Sequence, residues 1–348
     1  MDSFDDPALK GPGILRMLQE TFGRRRRLLD VAQIEITSYC TGKCAYCPHT
    51  ILKGAWKARH MKDETFVRLW PLLLETQRAH LQGWGEPLLH PHFLDMVRLC
   101  RRADCLVSTT TCGLIMDGRL AESLVDSGLD IIAFSLTGST EAGNNAAREG
   151  VDFNTVLDAV RLLQTVRTKK MGVHLEVHFA YLMLASAVDS VALLPDLMRE
   201  YGVHAAVVST LDYVPSPDWK KEAFMPGDRE KIEYARSVLE QAAKRAASMG
   251  MDFHYSLPQS APLSDCLEHP SRAVYVDAEG SISPCIYLNL PTDNDDPSRR
   301  VFGSCMADNP LSVWNGPEFG AFRRALASRA PEAPCISCPK RFASGNRP

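Results

Sequence analysis

Short apolar runs, separated by segments whose apolar residues recur at helical spacing, leave few folds open to this chain. The runs are VAQIEIT (31–37), AHLQGW (79–84), CLVSTT (105–110), IIAFSL (131–136), VHLEVHFAYLM (173–183) and HAAVVSTL (204–211). Between them, DETFVRLWPLLLE, PHFLDMVRLCRR, GRLAESLVDSG, NTVLDAVRLLQTV and SVALLPDLMREYG carry apolar positions at helical spacing, and several close on Gly. Strand and helix alternating in this way predict βαβ units in a parallel sheet, either doubly wound or curled into a barrel.

A long polar helix, residues 226–250, closes this region, and from about residue 256 the texture changes. The remainder is rich in Pro, Asp, Asn and Ser and holds five of the eleven cysteines. The expected layout is an N-terminal extension (1–29), an α/β core (30–250) and a small cysteine-dependent second domain (256–348). An apolar fraction of 45% supports a substantial core. A formal net charge of -3 gives no reason to expect a nucleic-acid partner or an acidic membrane surface. The basic run Arg24 to Arg27 reads as a solvated lead-in to the first strand. No window is apolar enough to cross a bilayer, and the opening MDSFDDPALKGPG is acidic where a secretion signal would be basic, so a cytoplasmic location is expected. Clustered cysteines in such a reducing compartment argue for metal or redox chemistry over disulfides.

The stretch SYCTGKCAYCPHT places Cys40, Cys44 and Cys47 at C-x3-C-x2-C spacing directly after the first predicted strand, where parallel strands present ligand sites. A structural zinc site is closed by four ligands, whereas an iron-sulfur cube held by three cysteines leaves one iron without a protein ligand. A zinc site completed by His49, or three unrelated buried cysteines, are the competing readings. Cys100, Cys105 and Cys112 fall in or beside a core helix and strand, where an unligated buried thiol is ordinary. His90 and His92 flank Pro91 at a helix start and read as capping or packing groups.

The loop CTGKCAYC resembles that of the radical S-adenosylmethionine superfamily, C-x3-C-x-aromatic-C, with Tyr46 in the aromatic slot. Further resemblances follow in chain order. GWGEP (83–87) is similar to the superfamily's Gly-Gly-Glu-Pro motif with Trp84 in place of a glycine. Gly83, Gly85, Glu86 and Pro87 then become candidate contacts to the methionine amino group, since small residues let backbone approach a ligand and Glu86 can accept from an ammonium. TTTCG (109–113) stands where Thr-Asn-Gly is frequent, which makes Thr111 and Gly113 pocket lining. Ser135 and Arg148 occupy the places of a Ser and an Arg near the methionine carboxylate and ribose, and an arginine can grip a carboxylate by two parallel hydrogen bonds. The competing reading of Arg148 is a surface ion pair with Glu149 or Glu141.

After Cys266 come thirteen residues, Gly280, four residues, Cys285, then Cys305 and finally Cys335-Ile-Ser-Cys338. This tail resembles the SPASM and twitch domains that follow many such cores, with DAEG as the turn of a hairpin. The resemblance implies that Cys266, Cys285, Cys335 and Cys338 ligate one auxiliary 4Fe-4S cluster. Cys305 is left out of that set, and a four-cysteine zinc site is the rival. The full SPASM pattern has further cysteines after the final pair, and none follows Cys338 here.

Together these resemblances imply a partial (β/α)6 barrel followed by a twitch- or SPASM-like domain, and an enzyme using S-adenosyl-L-methionine and a 4Fe-4S cluster with three cysteine ligands. Such enzymes generate a 5'-deoxyadenosyl radical that takes a hydrogen atom from substrate, and they draw on a one-electron donor such as a flavodoxin or ferredoxin. A fully ligated auxiliary cluster suits removal of an electron from a substrate radical, so dehydrogenation of a sugar, alcohol or aminocyclitol is the leading expectation. Maturation of a ribosomally made peptide by crosslinking, epimerisation or oxidation is the alternative, and the 29 residues before the first strand look short for a peptide-recognition domain. Redox-neutral epimerisation or decarboxylation, and a non-catalytic iron-sulfur or zinc protein, complete the field. DYVPSPDWKKEAF (212–224), with Asp212, Tyr213, Trp219 and Lys220, reads as a surface connection more than as a substrate-contacting segment.

Overall fold

The computed structural model describes residues 26–214, 216–292 and 298–345. Ten strands form one sheet. They are β1 (Leu29–Ile34), β2 (Thr76–Leu81), β3 (Leu106–Thr111), β4 (Ile131–Leu136), β5 (Glu176–Met183), β6 (Ala205–Thr210), β7 (Asp252–Tyr255), β8 (Ala273–Val276), β9 (Ser281–Ser283) and β10 (Gly303–Ser304). The order across the sheet is β10-β9-β8-β1-β2-β3-β4-β5-β6-β7, and every pairing from β8 to β7 is parallel. Parallel pairs need crossovers, and helices supply the five from β2 to β7: α1 (Phe93–Arg102), α2 (Gly118–Asp126), α3 (Phe153–Thr168), α4 (Leu194–Glu200) and α5 (Arg229–Ser248). The expected α/β architecture is therefore present, and all six expected strands lie in the sheet.

Three details differ from the sequence reading. Asp63–Glu75 is broken into two short helices, Asp63–Val67 and Trp70–Leu74, the second opening with Pro71, whose missing N–H suits a first turn and not a helix interior. A seventh parallel core strand, β7, follows α5 directly; it is too short to show a period among its polar neighbours. The C-terminal hairpin β8–β9 turns through Asp277 to Gly280, as DAEG suggested, but β8 also pairs in parallel with β1, in register from Val31↔Ala273 to Ile34↔Val276. The cysteine-rich segment thus extends the core sheet.

Residues of β1 and β8 (Val31, Gln33, Val274) and of β6 and β7 (Val207, Val208, Tyr255) line one cavity of about 540 Å³. Strands distant in the sheet order meet across that space, so the sheet is curled. Among the described residues no helix is long and apolar enough to cross a membrane.

Candidate active site at the strand ends

The three-cysteine loop leaves the C-terminal end of β1. Its middle, Lys43–Cys44, forms a two-residue antiparallel ladder with Arg148–Glu149, Cys44 lying opposite Arg148. The Cys47 amide donates to the Cys44 carbonyl (3.0 Å), and Cys47 stands at the start of a short helix, Pro48–Ile51. A Cβ on Gly42 would stand 3.7 Å from Cys40 Sγ, 3.9 Å from Cys44 Sγ and 2.9 Å from a Val151 methyl, so only glycine keeps the space between these two sulfurs clear. Burial pushes the Cys40 thiol up and that of Cys47 to about 12, and each is raised further by the neighbouring cysteines. A coordinating metal centre reverses this balance, because it holds its thiolates deprotonated. Among the described residues no group of three or more Cys, His, Asp or Glu side chains is arranged to hold a single metal ion. His49 is engaged elsewhere, its Nε2 lying 2.9 Å from the Ser38 carbonyl.

GWGEP follows β2 and packs against the extension of β1. A Cβ at Gly83 would stand 2.3 Å from Glu35 Cγ, and one at Gly85 would stand 2.2 Å from the Thr37 carbonyl oxygen. The two glycines therefore admit the protein's own backbone and carboxylate, a role that spacing alone did not reveal. Glu86 is 3% exposed. One of its oxygens accepts from the Thr111 hydroxyl (2.6 Å) and the Leu88 amide (3.2 Å), and the other from the Cys112 amide (2.7 Å). Its own amide donates to the Tyr39 carbonyl (2.7 Å). Glu86 thus braces the ends of β1, β2 and β3 together, with Thr111 as its partner. Pro87 opens the single turn Pro87–Leu89 behind it. His90 is buried with Nε2 at 2.9 Å from the Met61 carbonyl and packs as expected, whereas His92 is exposed and pairs with Asp63.

Arg148 is 4% exposed and makes no ion pair with a described residue; Glu149 pairs with Lys43 instead. Its guanidinium donates to the Ser135 carbonyl and, at 2.7 Å, to the Ser135 hydroxyl, which in turn donates to the Thr111 carbonyl. Its Nε is buried with no hydrogen-bond partner among the described residues. A buried guanidinium with a spare donor, opposite Cys44 and beside Tyr46, is suited to an anionic group arriving at this loop. The Tyr46 hydroxyl lies 2.8 Å from Thr137 Oγ1, and its ring meets Trp219 edge-on at 6.3 Å.

That last contact corrects the reading of 212–224 as a surface connection. Lys220 is exposed, but Tyr213 stacks on Tyr287 at 6.5 Å and Asp212 forms an ion pair with Lys340 (3.1 Å). The segment ties the end of β6 to both the three-cysteine loop and the C-terminal region. Trp84, Trp56 and Tyr287 continue this aromatic wall, with Trp84 centred 6.4 Å from Trp56 and 5.7 Å from Tyr287. Pairing across such sequence distances leaves no periodic signal.

In the C-terminal segment, burial raises the thiols of Cys285, Cys266 and Cys338; the charge of Cys338 adds to the rise of Cys266 and Cys285, and that of Cys266 to the rise of Cys285. Cys335, pushed up to about 11, is raised next by Cys338. The four sulfurs are thus electrostatic neighbours, and a polynuclear cluster fits such a set of four donors. Cys305 stands apart. It is buried in the main core, its thiol directed at the Thr65 carbonyl at 3.8 Å, and a Cβ on Gly280 would stand 2.6 Å from its sulfur. Cys100 and Cys105 lie in the same core, with Cys105 Sγ donating to the Leu73 carbonyl at 3.3 Å. Cys112, also buried, sits close enough to Glu86 and Cys40 for their charges to raise its thiol further.

Residues 34–179 match the family model of the Radical SAM superfamily, and residues 266–339 match that of SPASM, an iron-sulfur cluster-binding domain. Among curated proteins, the PqqA peptide cyclase of Gluconobacter oxydans (strain 621H) is 27% identical over 322 residues, covering 88% of this chain and 82% of the relative. The GTP 3',8-cyclase of Chlorobaculum tepidum is 28% identical over 253 residues, 70% of this chain and 71% of the relative. Among solved structures, Streptococcus suis SuiB bound to S-adenosylmethionine superposes with a TM-score of 0.65 at 16% identity, covering 92% of this chain and 73% of that one, which establishes a shared fold. With these matches spanning both the strand-end site and the cysteine-rich tail, the chain carries a radical S-adenosylmethionine domain followed by a C-terminal SPASM iron-sulfur domain, so its cofactors are S-adenosylmethionine, a 4Fe-4S cluster and auxiliary iron-sulfur.

Proposed function

We propose that this radical SAM enzyme closes a ring within a peptide, joining two positions of a substrate chain by a crosslink. The observation that carries the reading is the similarity to the PqqA peptide cyclase of Gluconobacter oxydans, which runs through 88% of the chain and 82% of the relative. The similarity to GTP 3',8-cyclase covers less of the chain and also points to cyclisation. Both favour ring closure over the dehydrogenation of a small metabolite that a fully ligated auxiliary cluster puts first.

In this reading Cys40, Cys44 and Cys47 hold the 4Fe-4S cluster that binds S-adenosylmethionine, and Cys266, Cys285, Cys335 and Cys338 hold one auxiliary cluster. Bound there, cluster and cosubstrate together supply a 5'-deoxyadenosyl radical able to take a hydrogen atom from a substrate carbon. The chain's own residues orient and enclose. Arg148, anchored on Ser135, offers its unpartnered Nε–H to the carboxylate of the cosubstrate. Tyr46, fixed by Thr137, forms the wall beside it. Gly83, Gly85 and Pro87 hold the backbone of their loop tight against β1, and Glu86 with Thr111 locks that loop in place, so the loop's outward polar groups face the methionine amino group without reorganising. Trp219 and Trp84 supply apolar area that keeps water from a reactive radical.

The test is co-expression of the chain with each short open reading frame flanking its gene, followed by mass spectrometry of the peptides. One peptide should lose two hydrogens through a crosslink, and should not do so with a Cys40/Cys44/Cys47→Ala chain. Unmodified peptides, together with 5'-deoxyadenosine formation stimulated by GTP or by an alcohol substrate in the reconstituted enzyme, would sink the peptide reading.

A further inference from the structure

Two residues beyond Cys338, the Lys340 ammonium lies 3.1 Å from an Asp212 oxygen and 2.7 Å from a Glu268 oxygen. All three are largely withdrawn from solvent: the Lys340 side chain is 13% exposed, that of Asp212 7% and that of Glu268 19%. The ammonium also lies 5.4 Å from the centre of the Tyr287 ring. One cation between two carboxylates leaves a net negative charge inside the protein. Buried ion pairs of this kind contribute little net stability, because desolvation offsets their attraction. Their field, in contrast, acts strongly on any charge nearby, since water is absent to screen it. The nearby charges here are the C-terminal cysteines. Cys285 lines the same 540 Å³ cavity as Asp212, Glu268 and Lys340, while Glu268 stands two residues after Cys266 and Lys340 two after Cys338.

We propose that the Asp212–Lys340–Glu268 group sets the reduction potential of the auxiliary cluster, with Lys340 holding it up and Glu268 holding it down. Reduction adds an electron, so a cation beside the cluster favours the reduced form and a carboxylate opposes it; local charge is one of the levers on such potentials. Because Asp212 belongs to the end of β6 and Lys340 to the C-terminal segment, the clamp also couples that potential to how the strand end sits against the cluster. A substrate that displaces Asp212 from Lys340 would leave the ammonium with one carboxylate fewer and make the cluster a better electron acceptor while substrate is present. Lys340 and Glu268 act through the cluster and are positioning residues in this scheme.

The inference rests on Cys266, Cys285, Cys335 and Cys338 ligating the auxiliary cluster, and the experiment separates the two. Full-length Cys40/Cys44/Cys47→Ala chain, reconstituted anaerobically with iron and sulfide, is titrated by redox potential with electron paramagnetic resonance as the readout. Lys340→Met in that background should lower the midpoint and Glu268→Gln should raise it, each by about a tenfold change in the one-electron equilibrium, about 59 mV, while Lys340→Arg should stay near the parent. Opposite signs from two changes in one contact are not what loosened packing would give. If Lys340→Met fails to retain iron, the near-isosteric Glu268→Gln decides by itself. A parent chain holding no iron overturns the auxiliary-cluster reading and this one with it. Iron retained, with a midpoint that ignores both changes, overturns the charge role alone.

Discussion

Glu35 shows what one buried group can impose. It lies on the extension of β1, 4% exposed, with one oxygen accepting from the Trp84 amide at 2.7 Å. Burial pushes its carboxyl up to about 7, the nearby Asp277 adds to the rise, and the Trp84 amide and the Tyr275 hydroxyl hold it down in part. A folded-state value above the unfolded one means that the folded protein binds the proton more tightly. Stability from this group is therefore full below about pH 4.5 and is lost as pH rises towards 7, a change of about 3 kcal/mol from a shift of between two and three pH units. Glu35→Gln should flatten the wild-type fall in urea-unfolding free energy across that window and leave the variant more stable than wild type above pH 7. An unchanged slope would refute the assignment.

Between elements, Asn144 is the connection that places Arg148. Fully buried in the helix Glu141–Ala147, it accepts from the Thr137 amide just beyond β4 (3.0 Å) and donates to the Val151 carbonyl just before α3 (3.3 Å). Those two segments carry the Ser135 and Arg148 that meet across the site. Asn144→Ala strands a buried amide and a buried carbonyl, so a loss of about 1–3 kcal/mol is expected. Equilibrium unfolding should register that loss. Equilibrium dialysis with S-adenosylmethionine should show weaker binding at unchanged iron content, since the cysteine loop itself is untouched. The GWGEP glycines teach a related lesson. Their lack of a side chain was legible in the sequence, but what fills the space, Glu35 and Thr37 of the neighbouring strand extension, depends on a strand pairing that no local window contains.

At the scale of the molecule, the β8–β9 hairpin makes the cysteine-rich segment part of the core sheet. A chain ending before residue 256 would leave β1 as an unpaired edge, a template for association. Such a truncated chain should elute as aggregates in size-exclusion chromatography, whereas a wholly separate second domain would leave it monomeric. Iron content tests the same architecture: the reconstituted full chain should hold roughly eight irons, in two cubes, and the Cys40/Cys44/Cys47→Ala chain roughly four.

The alternation of apolar runs determined the parallel α/β sheet, because side-chain period is a local property that survives in any sequence window. The spacing of Cys40, Cys44 and Cys47 likewise put three thiols in one loop after β1, since positions so close in sequence stay together in any fold. Tertiary structure alone decided the rest. It turned Glu86 inward as a brace, buried Arg148 away from the glutamates beside it in sequence, and brought Asp212 of β6's end onto Lys340 near the far end of the chain. The physical reason is the same in each case. Desolvation penalises a buried charge until it finds a partner, and the partner is whichever group the curled sheet brings within about 3 Å, at whatever distance along the chain.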